Sequence, residues 1–308
     1  MDGISANSCP LRYELAPRLA TEVLRLANMS SKSDLMSHQR QWAESVGLAV
    51  DIRGYVGTVE DNLFQPLNES TKAAFETGSG SELQDTGSRP AKMKALHSSS
   101  ALAVNFFDCW VGTEAAQLRK VLGLETGIVS IAFEEQCPTG LGGIPPNLDI
   151  ALRLEDGHVV GIESKFSEWL PRHSKGYEPF KPKYFASETG LWAERGFPKA
   201  QVLAEQMHAK DVVFSHLNAA QLLKHALGLA TRFGRDISLG YLYLDWPGPE
   251  SELHSAEIDR FASLIDENMR FRVWTYNNLI KSLVSVSGVN ERYTGYLVDR
   301  YIPTSHGR

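Results

Sequence analysis

The sequence is poor in the features that define several large classes of protein. Its three cysteines, Cys9, Cys109 and Cys137, form no CxxC pair and leave an odd thiol, so we expect neither a disulfide framework nor a structural zinc site. No apolar run approaches the roughly 20 residues that span a bilayer, and the first residues lack the basic and apolar regions of a signal peptide. These absences predict a soluble, cytoplasmic protein without a membrane partner.

Basic residues are also scarce overall. The 31 Lys and Arg residues against 37 Asp and Glu residues give a formal net charge of −6, unlike a protein that coats nucleic acid. The charge is uneven, because residues 250–267 hold six acids and one base, whereas residues 165–183 hold five bases and two acids. A local nucleic-acid site around the second segment is therefore compatible with the net charge.

The rest of the composition is that of a globular chain, with 43% apolar and 22% charged residues over a length of 308. One flexible-looking tract, residues 78–90, separates two regions of different pattern. Before it lie helical patterns near residues 11–27, 33–46 and 68–78. We predict an N-terminal helical region over residues 1–90 and an α/β domain over residues 91–308.

The second region alternates between helical spacing and the two-residue period of strands. Two helices are predicted before three successive strands, then two helices, a buried strand, a helix, a short strand and two final helices. In chain order, the bounds down to the short strand are 95–111, 114–122, 128–135, 148–154, 158–166, 198–208, 218–233, 238–245, 251–269 and 271–274. This order predicts an α/β fold with a mixed sheet.

The second and third strands place two carboxylates together. Pairing Ile150 with Ile162 aligns the apolar faces of the two strands and sets Asp149 directly opposite Glu163. This register leaves residues 155–157 as a three-residue loop, in which Gly157 occupies the position that favours a positive φ. A two-residue turn would put the two isoleucines on different faces, so we prefer the longer loop.

Facing carboxylates repel each other and need compensation. A hard divalent cation bound by both would provide it, and oxygen ligands favour Mg²⁺, or Mn²⁺, over zinc. Lys165 follows on the same face as Glu163, where it can neutralise charge, orient an attacking water or stabilise a phosphorane-like transition state. The competing interpretation is a solvated strand face, but the Gly- and Pro-rich loop before Asp149 favours a site that substrate can approach closely.

The run Pro146-Asn147-Leu148-Asp149, followed after a hairpin by Gly161-Ile162-Glu163-Ser164-Lys165, resembles the PD-(D/E)xK superfamily of restriction-endonuclease-like phosphodiesterases. The predicted αβββαβ order matches the core of that superfamily, and residues 95–107, 221–229 and 241–245 are similar to a family of restriction endonucleases within it. The resemblance implies that Asp149 and Glu163 bind metal with help from the backbone carbonyl of Ser164. It also implies that Lys165 is the catalytic lysine.

Further candidates follow the third strand. Gln221, Lys224 and His225 lie on the polar side of a predicted helix, which is either a solvated face or, as the resemblance implies, directed at the active site and substrate. The loop 167–197 interleaves aromatic residues with bases that include Lys181 and Lys183. Such a loop either contacts nucleic acid or packs on the core through its own aromatic side chains.

Three acids near the first strand are candidates for the additional acid that some relatives use, with a structural role as the alternative for each: Glu114, Glu134 and Glu135. Taken together, the sequence predicts a magnesium-dependent nuclease that hydrolyses DNA phosphodiester bonds. An RNA nuclease using the same site, and a nuclease-fold protein that binds nucleic acid without cutting it, are the alternatives. The oligomeric state stays open, with a homodimer as one arrangement.

Overall fold

The computed structural model describes residues 30–78, 81–143, 145–174 and 176–303, and at its centre lies a five-stranded mixed sheet. The strands lie in the order β1-β2-β3-β4-β5; the first three are antiparallel, and β4 and β5 are added parallel to β3. Their bounds are β1 (Ile128–Gln136), β2 (Asn147–Leu154), β3 (Val159–Lys165), β4 (Ile237–Tyr243) and β5 (Arg272–Thr275).

Ten α-helices lie within the described ranges, and those around the sheet complete the predicted αβββαβ order of a restriction-endonuclease-like core. Their bounds are α1 (Ser31–Ser45), α2 (Glu69–Thr77), α3 (Ser99–Phe107), α4 (Ala116–Leu122), α5 (Leu191–Glu194), α6 (Pro198–His208), α7 (Ala219–Phe233), α8 (Pro249–Leu264), α9 (Tyr276–Ser285) and α10 (Glu291–Tyr301). None of these helices is long and apolar enough to cross a membrane. The fold class predicted from the sequence is confirmed.

The β2–β3 hairpin has the predicted register. Ile150 pairs with Ile162 and Leu152 with Val160, so the apolar positions of the two strands coincide. The Leu154 N–H donates to the His158 carbonyl at 2.9 Å, which leaves residues 155–157 as a three-residue loop. Gly157 has a φ of +86°, in the region that glycine adopts without strain. The pattern of apolar residues and the turn residue therefore specify the same pairing.

Helices cover both faces of the sheet. On one face, α7 packs closely because two glycines leave no room for a side chain: a Cβ on Gly161 would lie 2.7 Å from Leu229, and one on Gly228 would lie 2.4 Å from the Cys137 carbonyl oxygen. On the other face α3 and α9 meet, with the rings of Phe106 and Tyr276 5.4 Å apart. The sheet is thus the middle layer of three.

The described part of the N-terminal region packs against the rest of the chain. Arg300 of α10 is fully buried, and its guanidinium donates to the Asn62 carbonyl oxygen at 2.9 Å and to Gln39 Oε1 at 3.3 Å. The same guanidinium lies 4.2 Å from the centre of the Trp42 ring. Buried polar contacts therefore join α1 and its following loop to α10. The predicted helix over residues 11–27 lies outside the described residues.

Candidate active site

The β2–β3 ladder stops at the predicted site. Ile150↔Ile162 is its last pair, and beyond it Asp149 Oδ2 accepts the Ser164 N–H at 2.6 Å, where a continued ladder would use a main-chain acceptor. The Ser164 hydroxyl lies 2.7 Å from the Tyr276 hydroxyl of α9. The two strands therefore separate at Asp149, and the end of β3 is held by contacts from both sides.

Glu163 lies at the centre of a buried charge cluster. Its side chain is 1% exposed, and its Oε2 lies 2.7 Å from Nε2 of His225, which is also 1% exposed. Its Oε1 is paired with the Lys165 ammonium. Because each carboxylate oxygen has a nitrogen partner from a different element, β3 and α7 together fix the direction of this carboxylate.

The two carboxylates differ in their electrostatics. Burial raises the pKa of Asp149 well above its usual value, and the negative charge of Glu163 raises it further, whereas Lys165 and the Ser164 N–H offset only part of that rise. Burial also acts to raise the pKa of Glu163, but Lys165 and His225 outweigh it and lower that pKa to about 2. Glu163 is thus firmly ionised, and a charge on Asp149 is poorly compensated.

Lys165 is a half-buried cation. Burial alone would lower the pKa of its ammonium group, but the charges of Glu163, Asp149 and Glu168 raise it above its usual value. The group is therefore protonated at neutral pH. A protonated lysine cannot accept a proton from water, but it can stabilise negative charge that develops on a substrate.

The donor set fits a hard divalent cation. Asp149 and Glu163 supply carboxylate oxygens, and the raised pKa of Asp149 indicates that its ionised form is unfavourable unless a cation compensates the charge. The described part of the chain contains no group of three or more His, Cys, Asp or Glu side chains arranged to hold a metal ion. Magnesium needs only one or two protein carboxylates because it keeps several of its waters, so two carboxylates are chemically compatible with it.

Of the three additional acids considered, only Glu134 lies beside this cluster. Its φ is +50°, its Oε2 accepts from Asn147 Nδ2 at 2.9 Å, and burial, together with the charges of Glu82 and Glu163, raises its pKa. Glu135 instead pairs with two arginines, at 3.0 Å and 2.6 Å. Glu114 is exposed.

The polar residues of α7 lie along a groove of about 320 Å³ that also contacts Asn147 at the start of β2. Gln221 accepts from Asn218 at 3.1 Å. Lys224 donates to the Pro179 carbonyl at 2.7 Å, and its ammonium lies 5.1 Å from the centre of the Phe180 ring. The structure therefore brings Gln221, Lys224 and His225 to the start of β2, with His225 buried against Glu163.

The basic and aromatic loop has two kinds of aromatic residue. Tyr177 is 38% exposed and Phe185 is half-buried, whereas the other five are buried: Trp169, Phe180, Tyr184, Trp192 and Phe197. Lys181 and Lys183 are exposed, and the Lys183 ammonium donates to the Gly142 carbonyl at 2.8 Å. Core packing thus accounts for five of the aromatic side chains, and Lys183 connects this loop to the loop before β2.

Two contacts of the site were not foreseen from the sequence. One is the pairing of His225 with Glu163, because the sequence placed His225 on a helix face directed at the active site and substrate but did not predict its contact with this carboxylate. The other is the support of Ser164 by Tyr276, more than 100 residues further along the chain. Sequence patterns do not report the rotation of a helix on a sheet, and both contacts depend on it.

Comparison with known proteins identifies the family of the chain. The model of a family described as "Restriction Endonuclease associating with ARP" matches residues 24–302. No curated protein and no solved structure matches the chain. The family match covers the predicted nuclease-like region and most of the N-terminal region, and it confirms the resemblance to restriction endonucleases.

Proposed function

The chain belongs to this family of restriction endonucleases, and from that premise we propose that it is a magnesium-dependent nuclease that hydrolyses DNA phosphodiester bonds. The observation that carries the proposal is the triad of the buried Glu163 and the half-buried Asp149 and Lys165 at the point where β2 and β3 separate. A protein that only binds nucleic acid gains nothing from two carboxylates that repel phosphate, whereas a metal-dependent hydrolase requires them.

Asp149, Glu163 and the backbone carbonyl of Ser164 are the proposed ligands of Mg²⁺, with Mn²⁺ as the alternative ion. When bound there, the ion would supply an activated water and stabilise charge on the phosphate. The chain's own contribution is to hold the ligands in place. Ser164 N–H fixes Asp149, while His225 acts as a positioning residue for Glu163.

Lys165 is the proposed catalytic lysine. The attack of water on a phosphodiester increases the negative charge on the phosphoryl oxygens, and a protonated lysine beside them stabilises that charge. Because Glu163 binds the lysine ammonium, the charge is directed before substrate arrives. Removal of one such group typically costs a hundredfold or more in rate.

Substrate contacts are proposed for the surrounding basic and polar residues. Gln221 and Lys224 lie along the groove that begins at Asn147, so they are the closest polar groups of α7 to a strand bound there. Lys181 and Lys183 are exposed on the adjoining loop and can contribute phosphate contacts that offset the net charge of −6 locally.

The test is incubation of the purified protein with supercoiled plasmid, linear duplex DNA, single-stranded DNA and RNA, with Mg²⁺, with Mn²⁺ or with chelator. We expect DNA cleavage with either metal and none with chelator. Lys199→Ala, which removes an exposed lysine at the start of α6, is the matched control for Lys165→Ala and should retain cleavage. Cleavage of RNA alone would replace DNA as the substrate, and binding without any cleavage would refute the nuclease proposal.

A further inference from the structure

Tyr177 is held in a fixed position relative to the site. Its hydroxyl donates to Asn218 Oδ1 at 3.1 Å, and Asn218 Nδ2 in turn donates to Gln221 Oε1 at 3.1 Å. Asn218 also caps the N-terminus of α7 by accepting the Gln221 N–H. Tyr177 is therefore connected through two hydrogen bonds to the helix that positions Glu163.

One face of the Tyr177 ring is already covered. The His173 ring stacks on it with the centroids 4.9 Å apart and an angle of 13° between the planes. The tyrosine nevertheless remains 38% exposed, in a loop whose other aromatic side chains are buried or, in the case of Phe185, half-buried. An aromatic ring supported on one side and open to solvent is arranged to stack with another planar group.

A second cavity shares Tyr177 with the groove. Its volume is about 300 Å³, and Tyr177 lines both spaces. Most of its wall is apolar, with Met207, Phe214 and the exposed Val213 among the lining residues. The ammonium of Lys210 at this cavity is paired with Glu178 at 3.1 Å. The chemistry of this cavity suits a flat, mostly apolar group and not a phosphate.

We propose that Tyr177 and this cavity bind an unpaired nucleobase of the substrate strand, next to the nucleotide at the cleavage site. The inference rests on the proposed function, because it takes the groove beside Asn147 and Gln221 as the path of the strand. Stacking on an aromatic ring accepts any base, and Ser174 and Ser215 in the cavity wall offer polar groups to its edge. Bases inside a duplex are not accessible in this way, so the strand is single-stranded or has an extruded base at this point.

The proposal is tested by comparing Tyr177→Ala with Tyr177→Phe. Affinity for a labelled single-stranded DNA oligonucleotide is measured in the Lys165→Ala background, which prevents cleavage. We expect Tyr177→Ala to weaken binding by about 5- to 100-fold, the range of losing one stacked base. Tyr177→Phe keeps the ring and loses only the hydrogen bond to Asn218, so it should bind within about threefold of the parent.

Two further measurements separate stacking from other roles. The salt dependence of binding should be the same for Tyr177→Ala and its parent, because no charge is removed. A 2-aminopurine placed next to the cleavage site should be quenched by the parent protein and not by Tyr177→Ala. The matched control is Tyr55→Ala, which removes a half-buried tyrosine in the N-terminal region and should leave affinity unchanged.

The outcomes distinguish this inference from the proposed function. Normal DNA cleavage by wild-type protein, with equal oligonucleotide affinity for Tyr177→Ala and its parent, would overturn the stacking proposal alone. Failure of the wild-type protein to bind or cut any nucleic acid would overturn both. Equal losses of affinity and of the unfolding midpoint in Tyr177→Phe and Tyr177→Ala would assign the tyrosine a structural role and also overturn the proposal.

Discussion

Replacement of Asp149 by Asn should stabilise the metal-free protein. Asp149 has a raised pKa because it is buried beside the ionised Glu163, so its charge is unfavourable in the folded state. An asparagine keeps an oxygen that can accept the Ser164 N–H, and it removes the negative charge. The substitution therefore relieves repulsion while it retains the hydrogen bond that joins β2 to β3.

The size of the effect follows from the charges. Facing side chains on neighbouring strands are about 5 Å apart, and two unit charges at that separation repel by roughly 3 kcal/mol at an effective dielectric constant of about 20. Lys165 offsets part of this repulsion, which leaves about 1–2 kcal/mol for Asp149→Asn to recover. One kcal/mol moves the Tm of a large domain by about 2–4 °C, so we expect the Tm to rise by about 2–8 °C.

The pH dependence has a definite sign. A carboxyl group with a raised folded-state pKa gives its greatest stabilisation below its unfolded pKa, here 3.8, and loses it as the pH rises through the folded-state pKa. The Tm difference between Asp149→Asn and wild type should therefore be small near pH 4 and largest at neutral pH. Magnesium at about 100 times its Kd should add about 2.7 kcal/mol to wild type and less to the variant.

The assay is thermal unfolding at several pH values, with chelator and with Mg²⁺. Asp211→Asn, which changes an exposed aspartate in the same way, is the control and should leave the Tm within about 1 °C of wild type. If Asp149→Asn fails to raise the Tm at neutral pH without metal, or if Mg²⁺ stabilises both proteins equally, the electrostatic account of the site is refuted.

Three other predictions address chemistry, substrate binding and packing. Lys165→Ala should reduce plasmid cleavage by at least about a hundredfold while nucleic-acid affinity, measured by fluorescence anisotropy, is retained; near-normal cleavage would make this lysine structural. The double replacement of Lys181 and Lys183 by Ala should flatten the log-log salt dependence of duplex affinity by about one to two units, and an unchanged slope would assign the loop to core packing. Gly228→Ala should lower the free energy of unfolding by about 1–3 kcal/mol in denaturant titrations, because its Cβ would lie 2.4 Å from the Cys137 carbonyl oxygen; a neutral result would show that α7 moves away from β1 without cost.

The features that the sequence predicts best are those set by local patterns. The alternation of apolar residues around Ile150 and Ile162, together with Gly157, specifies the hairpin register without other information. Helix α6 has the predicted bounds, residues 198–208, since Pro198 can begin a helix without losing a hydrogen bond. Because the register also orders the acids along β2 and β3, the same local signals place Asp149 next to Glu163.

Helix ends were predicted less well where a side chain decides them. The helix expected over residues 95–111 begins at Ser99 because Ser98 caps it by accepting the Ala101 N–H. The helix expected to reach residue 269 ends at Leu264, and Asp266 instead accepts N–H groups from Lys199 and Ala200 at the start of α6. The Ser98 cap could be predicted from the sequence. The contact of Asp266 with the start of α6 could not, because it joins segments that are distant in the chain.

The proximity of the predicted site residues could be predicted from the sequence better than the contacts that hold them in place. Asp149, Glu163 and Lys165 follow from strand register, whereas His225 reaches Glu163 only because Gly161 and Gly228 let α7 approach the sheet closely. For the loop 167–197 the sequence left two interpretations, contact with nucleic acid or packing on the core. The burial of each aromatic side chain in the structure shows which of them pack on the core. A sequence gives the spacing of aromatic residues but not which of them the core has room to enclose.

The burial of Arg300 has a consequence for how the protein unfolds. Its guanidinium is out of contact with water and is satisfied by Asn62 and Gln39, which lie more than 200 residues earlier in the chain. Loss of those partners would leave a buried charge without compensation, at a cost of about 3–5 kcal/mol. The helices before residue 78 and the last helix therefore depend on each other for stability. Heating should melt them together with the sheet in a single cooperative transition, even though the sequence changes character near residue 90.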